Sequence, residues 1–303
     1  MKKVLVIGSL NMDFSVYVNK RPAAGETVLG EKMQLVPGGK GANQAYALGK
    51  MKTAVKMIGA VGSDSFGEMA IKNLQSVGVA TDGIKKIAAE TGKAFIEIDS
   101  SGQNYITVIP GANFALTKEM LTEYEDFFSW ADAVVMQLEI PIEVVAAAAK
   151  YCKAKGKMLI LDPAPASKKI PAELLSLVDI AKPNETELAI LTGKKTDTPS
   201  EIESAAMALY GKGVKNVLVT LGGSGTLLVN ADGVQKFAAY KVKAVDTTAA
   251  GDCFLAAFIS KFTGKNFSEA IDFGAKASAV AVTRRGAQSS IPTYDEVANF
   301  SQH

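Results

Sequence analysis

The segment Asp246-Thr247-Thr248-Ala249-Ala250-Gly251-Asp252 runs straight into the apolar stretch Cys253 to Phe258, so small residues and an acid fall where a helix begins. The first amides of a helix lack intrahelical acceptors and carry the positive end of its dipole. Such a start suits an anion, and a phosphoryl group in transit is one. Asp252 in that first turn is a candidate general base, with the amides of Ala249, Ala250 and Gly251 as the anion hole. A capping aspartate explains this segment alone equally well. A second loop entering a helix, Pro37-Gly38-Gly39-Lys40-Gly41-Ala42-Asn43-Gln44-Ala45, lets backbone approach a ligand and adds donors on Lys40 and Asn43. It is not a Walker loop, which needs glycine where Gln34 stands and Ser or Thr where Gly41 stands. Nor is it a dinucleotide fingerprint, whose third glycine would fall on Gln44.

Other chemistry is excluded by what is missing. The single histidine is His303, the last residue, so a Ser-His-Asp triad or a histidine phosphoenzyme lacks its central group and proton transfer falls to a carboxylate or lysine. Asn11 and Asp13, two residues apart after a first strand, can face one side and bind vicinal hydroxyls; a turn pair is the other use of these residue types. Asn184-Glu185-Thr186-Glu187 follows a strand-like run and puts carboxylates near its end, where Asn184 and Glu187 also have the spacing of a capping box. Thr220-Leu221-Gly222-Gly223-Ser224-Gly225, taken alone, is a hairpin turn.

Seven segments in order, Gly8 to Asp13, Gly25-Glu26-Thr27, Gly38 to Ala45, Gln137-Leu138-Glu139, Asp162-Pro163-Ala164-Pro165, Pro183 to Glu187 and Asp246 to Asp252, resemble the signatures of the ribokinase-like (PfkB-type) sugar kinases along nearly the whole chain. The resemblance implies an ATP-dependent kinase acting on the 5-hydroxyl of D-ribose. A kinase for 2-deoxyribose or a nucleoside is the alternative within the family, and a non-catalytic sugar sensor the alternative outside it. It implies that Asn11, Asp13, Gly39, Lys40, Asn43 and Glu139 hold the pentose and that Asp252 takes its proton. It further implies that Asn184, Thr220, Gly222, Gly223, Gly225 and Gly251 contact the nucleotide, and that Glu187 acts on magnesium through water. Oxygens near Asp246, Thr248, Ala281, Arg284, Gly286 and Ser290 would surround a potassium ion. Where the family usually places asparagine or histidine against adenine, this chain has Ala275.

At 303 residues, 48% hydrophobic and 21% charged, the chain can bury one large core. A net charge of +2 from 33 basic and 31 acidic residues spread along the sequence suggests no nucleic-acid or membrane partner. Two cysteines, Cys152 and Cys253, are too few for a disulfide framework and fit a reducing cytoplasm. Val4–Ile7, Val55–Ala60, Ala133–Leu138, Met158–Leu161, Ile180–Lys182 and Val217–Leu221 read as buried strands separated by helices, among them Ile142 to Ala154 between Pro141 and Gly156. This rhythm predicts an α/β fold with a doubly wound, mainly parallel sheet covered on both faces. Phe14–Lys20 with Thr27–Leu35, and Ala94–Ile98 with Tyr105–Ile109, alternate apolar and polar residues and predict hairpins outside the main sheet. The expected organisation is one domain, residues 1–303, with a small β lid inserted at about 14–37 and 91–110. The resemblance implies that the lid also makes a homodimer.

Overall fold

A computed structural model of the chain describes residues 2–101 and 103–301; His303 and Gly102, the latter in an expected lid turn, lie outside these. Thirteen strands run in chain order among the described residues: β1 (Lys3–Ile7), β2 (Asn11–Val18), β3 (Gly30–Gly38), β4 (Ala54–Gly62), β5 (Ala80–Ile87), β6 (Gly92–Ile98), β7 (Asn104–Ile109), β8 (Ala133–Met136), β9 (Met158–Leu161), β10 (Ile180–Ala181), β11 (Val217–Thr220), β12 (Thr226–Asn230) and β13 (Gly233–Phe237). Nine form one sheet in the order β13-β12-β11-β10-β9-β8-β1-β4-β5. From β5 to β11 every pairing is parallel, and β12 and β13 continue the edge antiparallel.

The short apolar run of β1 explains its central place. Side chains alternate across a strand, so Val4 and Val6 point to one face and Leu5 and Ile7 to the other, and all four are fully buried. Val4 and Val6 join a core with Leu48 and Phe258, whereas Leu5 and Ile7 join a second core with Phe128 and Val145. Each such side chain contributes about 1.5–3 kcal/mol of transfer free energy, which is why continuous apolar runs specify the middle of a two-faced sheet. Helices Lys40–Lys50 and Ala250–Lys261 cover the first face, and helix Ile142–Ala154, with the predicted bounds, covers the second. Both cysteines are free and buried. Among the described residues no helix is long and apolar enough to cross a membrane.

The chain builds outward from β1 toward β4 and β5, then returns to lay β8, β9, β10 and β11 on the other side. The order therefore reverses between β1 and β8, and a crevice opens beyond the carboxyl ends of these two strands. The residues that follow those ends are Ser9 and Glu139, and the Ser9 hydroxyl donates to Glu139 Oε2.

The other four strands form a separate sheet, β3-β2-β6-β7. Its limits differ from the expected hairpins, because β2 begins at Asn11 and β3 extends to Gly38. The two hairpins are also joined by parallel pairing of β2 with β6. Asn11 and Asp13 thus lie inside a strand, not in a turn after one. Their side chains share a face because residues i and i+2 do so in any strand.

Candidate active site

In β2 the inward positions are polar. Asn11 is 2% exposed and Asp13 7%. Asn11 accepts at Oδ1 from Asn113 Nδ2 (2.8 Å), and Asn113 is itself fixed by Leu10, accepting from its amide and donating to its carbonyl. This assignment leaves the Asn11 amide nitrogen to donate into the crevice. Neighbours in register make room: Gly38 and Gly92 flank Asn11. A Cβ at Gly38 would stand 2.1 Å from Asp13 Oδ2, and one at Gly92 would stand 2.2 Å from Asn11 Oδ1 and 2.3 Å from Asn113 Nδ2. Both asparagines are buried and cannot yield cheaply. Gly92→Ala is therefore expected to raise the sugar KM about tenfold with kcat changed less than about threefold. Equal losses in both constants would show that the substitution reaches the chemistry as well.

Helix Lys40–Lys50 starts at the crevice. The Lys40 amide donates to Glu139 Oε2 (3.0 Å), and the Gly41 amide donates to Ser9 Oγ (3.2 Å), so the loop after β1 and the end of β8 hold the helix start. One turn further, Asn43 Nδ2 donates to Asp252 Oδ2 (3.2 Å) and Gln44 Nε2 to Asp252 Oδ1 (2.9 Å). Gln44 Nε2 also donates to Asp162 Oδ2 (2.8 Å), and its oxygen accepts from Gln137 Nε2 (2.6 Å). On the other side, Gln288 Nε2 donates to Asn43 Oδ1 (3.0 Å). Asp252 is thus an acceptor at both oxygens, clamped by amides from the opposite helix.

Asp252 is the third residue of helix Ala250–Lys261, whose cap, Ala249, has φ 58° and ψ 8°. That left-handed conformation costs an alanine roughly 1–2 kcal/mol, and it turns the chain sharply into the helix. Burial pushes the Asp252 carboxyl up from its ordinary value, with Lys40 opposing and Asp162 adding to the rise. The helix start alone predicts the opposite, a favoured carboxylate; desolvation outweighs the helix dipole here. Asp13 is pushed up to about 7, first by burial and then by the charges of Glu139 and Asp252. Burial works against the Lys40 ammonium, but Asp252, Asp162, Glu139 and Glu187 overcome it and hold its pKa above the ordinary value. Asp13 thus feels the charges of Glu139 and Asp252, and these two carboxylates in turn act on Lys40.

Beyond Asp252 a cavity of about 650 Å³ opens. Lys40, Asp162, Lys182, Glu187, Gly251 and Asp252 line its inner end. Asn184, Thr220, Gly222, Gly223 and Gly225 also line it, as do Ala275, Ala279 and Val242. The Thr220–Gly225 segment joins antiparallel β11 to β12, as a hairpin turn does, and Thr220, Gly222, Gly223 and Gly225 line the cavity. Asn184 and Glu187 likewise form a complete capping box while lining it. Burial and the nearby Asp162 push Glu187 up from its usual value.

Asp246 brings the remaining predicted group together in part. It accepts from the Thr248 amide and hydroxyl and from the Gly286 amide (2.8 Å), and these bonds hold its carboxyl below the ordinary range against the effect of burial. The Ala281 carbonyl accepts from the Arg284 amide, and the Arg284 guanidinium pairs with Glu296. The buried Ser290 hydroxyl donates to the Ala287 carbonyl.

Ser9, Gln44, Asn113, Asp162, Lys182 and Gln288 were not among the predicted site residues. Ser9, Gln44 and Asp162 lie inside the matching segments, but spacing gave them no task. Asn113 and Gln288 come from short 3-10 helices, Gly111–Ala115 and Gln288–Ser290, without any pattern. The sequence also shows no aromatic cluster near the motifs, yet Phe14 stacks on Phe95 (centroids 5.1 Å) and meets Phe66 edge-on (5.5 Å). By strand alternation Phe14 lies on the face of β2 opposite Asp13, so this cluster does not line the crevice.

A doubly wound sheet with a clamped carboxylate at a helix start, between a polar recess and a large cavity, is the architecture of a small-molecule phosphotransferase. The chain belongs to the pfkB family of carbohydrate kinases, whose sequence model matches residues 1–294. It is 42% identical to the ribokinase of Staphylococcus aureus (strain COL), over 97% of this chain and 98% of that one. It is 36% identical to the deoxyribokinase of Salmonella typhi, over 98% of each. The structure of the Arabidopsis thaliana ribokinase complexed with ribose and ATP superposes with a TM-score of 0.91 at 35% identity, covering 99% of each chain.

Proposed function

We propose that this protein transfers the γ-phosphoryl group of ATP to the 5-hydroxyl of D-ribose, giving D-ribose 5-phosphate and ADP. The observation that carries the reading is Asp252, held by Asn43 and Gln44 at the start of a helix, between Asp13 on one side and the cavity on the other. Asp13 and the Asn11 amide would bind vicinal hydroxyls, with Gly39, Lys40, Asn43 and Glu139 around them. Asn43 would have a double task, because one of its amide protons already serves Asp252. Asp252 would take the proton of the primary hydroxyl, and the amides of Ala249 to Gly251 would receive the oxygens of the phosphoryl group. Phosphoryl transfer passes through a loose transition state, so positioning and charge stabilisation carry most of the barrier reduction and an aspartate suffices as base.

ATP would lie along Asn184, Thr220, Gly222, Gly223 and Gly225, with its adenine against apolar lining residues such as Val242, Ala275 and Ala279. Bound magnesium would neutralise phosphate charge. The lining fits such a hard cation at Glu187, a carboxylate that faces the cavity and offers oxygen donors. Glu187 would hold the ion through water. Potassium would sit by the loop that Asp246 draws together through Thr248 and Gly286, with Ala281, Arg284 and Ser290 near it. Turnover is expected to be several-fold higher in potassium than in a large organic cation at equal ionic strength; equal rates would remove the ion from the account. Exposed Ile106 and Val108 on the small sheet support a homodimer closing this lid. The two buried free cysteines suit a cytoplasmic setting.

Likeness to a deoxyribokinase keeps 2-deoxyribose in view as the competing substrate. Asp13 separates the two, because a sugar without the 2-hydroxyl leaves a buried acceptor short of a donor at a cost of about 1–3 kcal/mol. An ATP-coupled screen of ribose, 2-deoxyribose, fructose and nucleosides is expected to favour ribose by roughly 5–150-fold in kcat/KM over 2-deoxyribose. Preference for the deoxy sugar would reverse the assignment, and sugar binding without any turnover would indicate a sensor.

A further inference from the structure

Lys182 follows β10 at the inner end of the cavity, and it is 4% exposed. Its ammonium lies 3.2 Å from Asp162 Oδ1, without the alignment of a hydrogen bond. The other Asp162 oxygen is occupied by Gln44. A buried ion pair of this kind is a poor source of stability, because desolving two charges offsets most of their attraction. Its position is more informative. A Cβ at Gly251 would find one group within 4 Å, and that group is Lys182 Nζ at 3.1 Å. Glycine at 251 therefore leaves a buried ammonium open to the space in front of the helix start, next to the amides that face the cavity. Lys40 lines the same end of the cavity, on the helix that clamps Asp252.

We propose that Lys182 is a further catalytic residue, whose ammonium binds the oxygens of the transferring γ-phosphoryl group together with the Gly251 amide. This rests on the kinase reading above and adds a contact to it. Asp162 balances the charge of Lys182. When a nucleoside triphosphate enters, the two donors of the ammonium that do not face Asp162 meet its terminal phosphate, and they bind most strongly as charge moves during transfer. A diphosphate lacks the group that Lys182 reads. The Coulombic influence of Lys182 on both Asp252 and Glu187 agrees with a location between the base and the phosphate chain.

The test compares Lys182→Met, which keeps length and removes charge, with the double variant Lys182→Met/Asp162→Asn, which removes the partner charge that the single variant leaves unpaired. Calorimetry would give affinities for ADP, for a non-hydrolysable ATP analogue and for the sugar that the parent phosphorylates, alongside kcat. Expected are a fall in kcat of about 10²-fold and a loss of analogue affinity of about tenfold, with ADP and sugar affinities within about threefold of the parent, in whichever variants fold. Unchanged kcat, or analogue, ADP and sugar affinities falling together, would overturn the proposal. If the parent phosphorylates no sugar, the kinase reading fails, while the analogue-over-ADP preference still decides whether Lys182 reads a terminal phosphate.

Discussion

Replacing Asp252 with asparagine is expected to lower kcat by about 10²-fold or more while ribose and ATP affinities stay within about threefold of the parent. Both Asp252 oxygens accept from amide N–H groups, of Asn43 and Gln44, so an asparagine must aim its own NH2 at one of those donors. That conflict shifts the clamp slightly, and loss of the base removes the proton acceptor. The parent should also show a distinctive acid limb. Because burial raises the Asp252 carboxyl, kcat should begin to fall above the ordinary aspartate value of 3.8 as pH drops, and the asparagine variant should lose that limb. Steady-state kinetics with both substrates saturating would check this. Turnover near the parental rate would remove Asp252 from the chemistry.

Asp13→Asn should produce the second largest change, and in two opposite directions. Two charge-assisted hydrogen bonds to vicinal hydroxyls, worth about 1.5–3 kcal/mol each, put the loss of ribose affinity at roughly 10²-fold or more. Stability should move the other way. The folded carboxyl titrates at about 7 and its ordinary value is 3.8, so between these values the folded state holds a proton that the unfolded state has lost. The stabilisation is fully present below 3.8 and disappears as pH rises through about 7. Above that, a buried ionised Asp13, with Glu139 and Asp252 near it, weakens the fold. The neutral variant should therefore be more stable than the parent at pH 8, by an amount on the order of a few kcal/mol, and show no such gain at pH 4. Thermal unfolding at the two pH values reads this directly. The same ionisation predicts that ribose binds more weakly below pH 7, because binding needs the carboxylate.

The central sheet was legible because its strands are buried on both faces. Continuous runs such as Val4–Ile7 and Met158–Leu161 fit the middle of a sheet covered on both faces. Of the strands missed, β12 (Thr226–Asn230) is short but buried throughout, and the others are those that solvent or the site makes polar. Strand β5 carries Thr81, Asp82, Lys85 and Lys86 near the edge of the large sheet, and β13 carries Gln235 and Lys236 at its other edge. In β2, Asn11 and Asp13 occupy inward positions for the sake of the crevice, so local composition suggests a turn where the chain is extended. The helix-start base and the glycine loop could be read because backbone geometry limits which residues fit there. Gln44, Gln288 and Asn113 could not, since an amide that positions another side chain leaves no spacing rule. The raised Asp252 pKa was also hidden, because the extent of burial is decided by helices that meet only after folding.

Phosphorus NMR of a reaction containing the protein, D-ribose, ATP and magnesium addresses the central claim most directly, since it reports where the phosphoryl group goes. The account predicts ADP and a single new phosphomonoester whose phosphorus couples to the two protons of the C5 methylene. Phosphate on the anomeric oxygen, or inorganic phosphate alone, would contradict it.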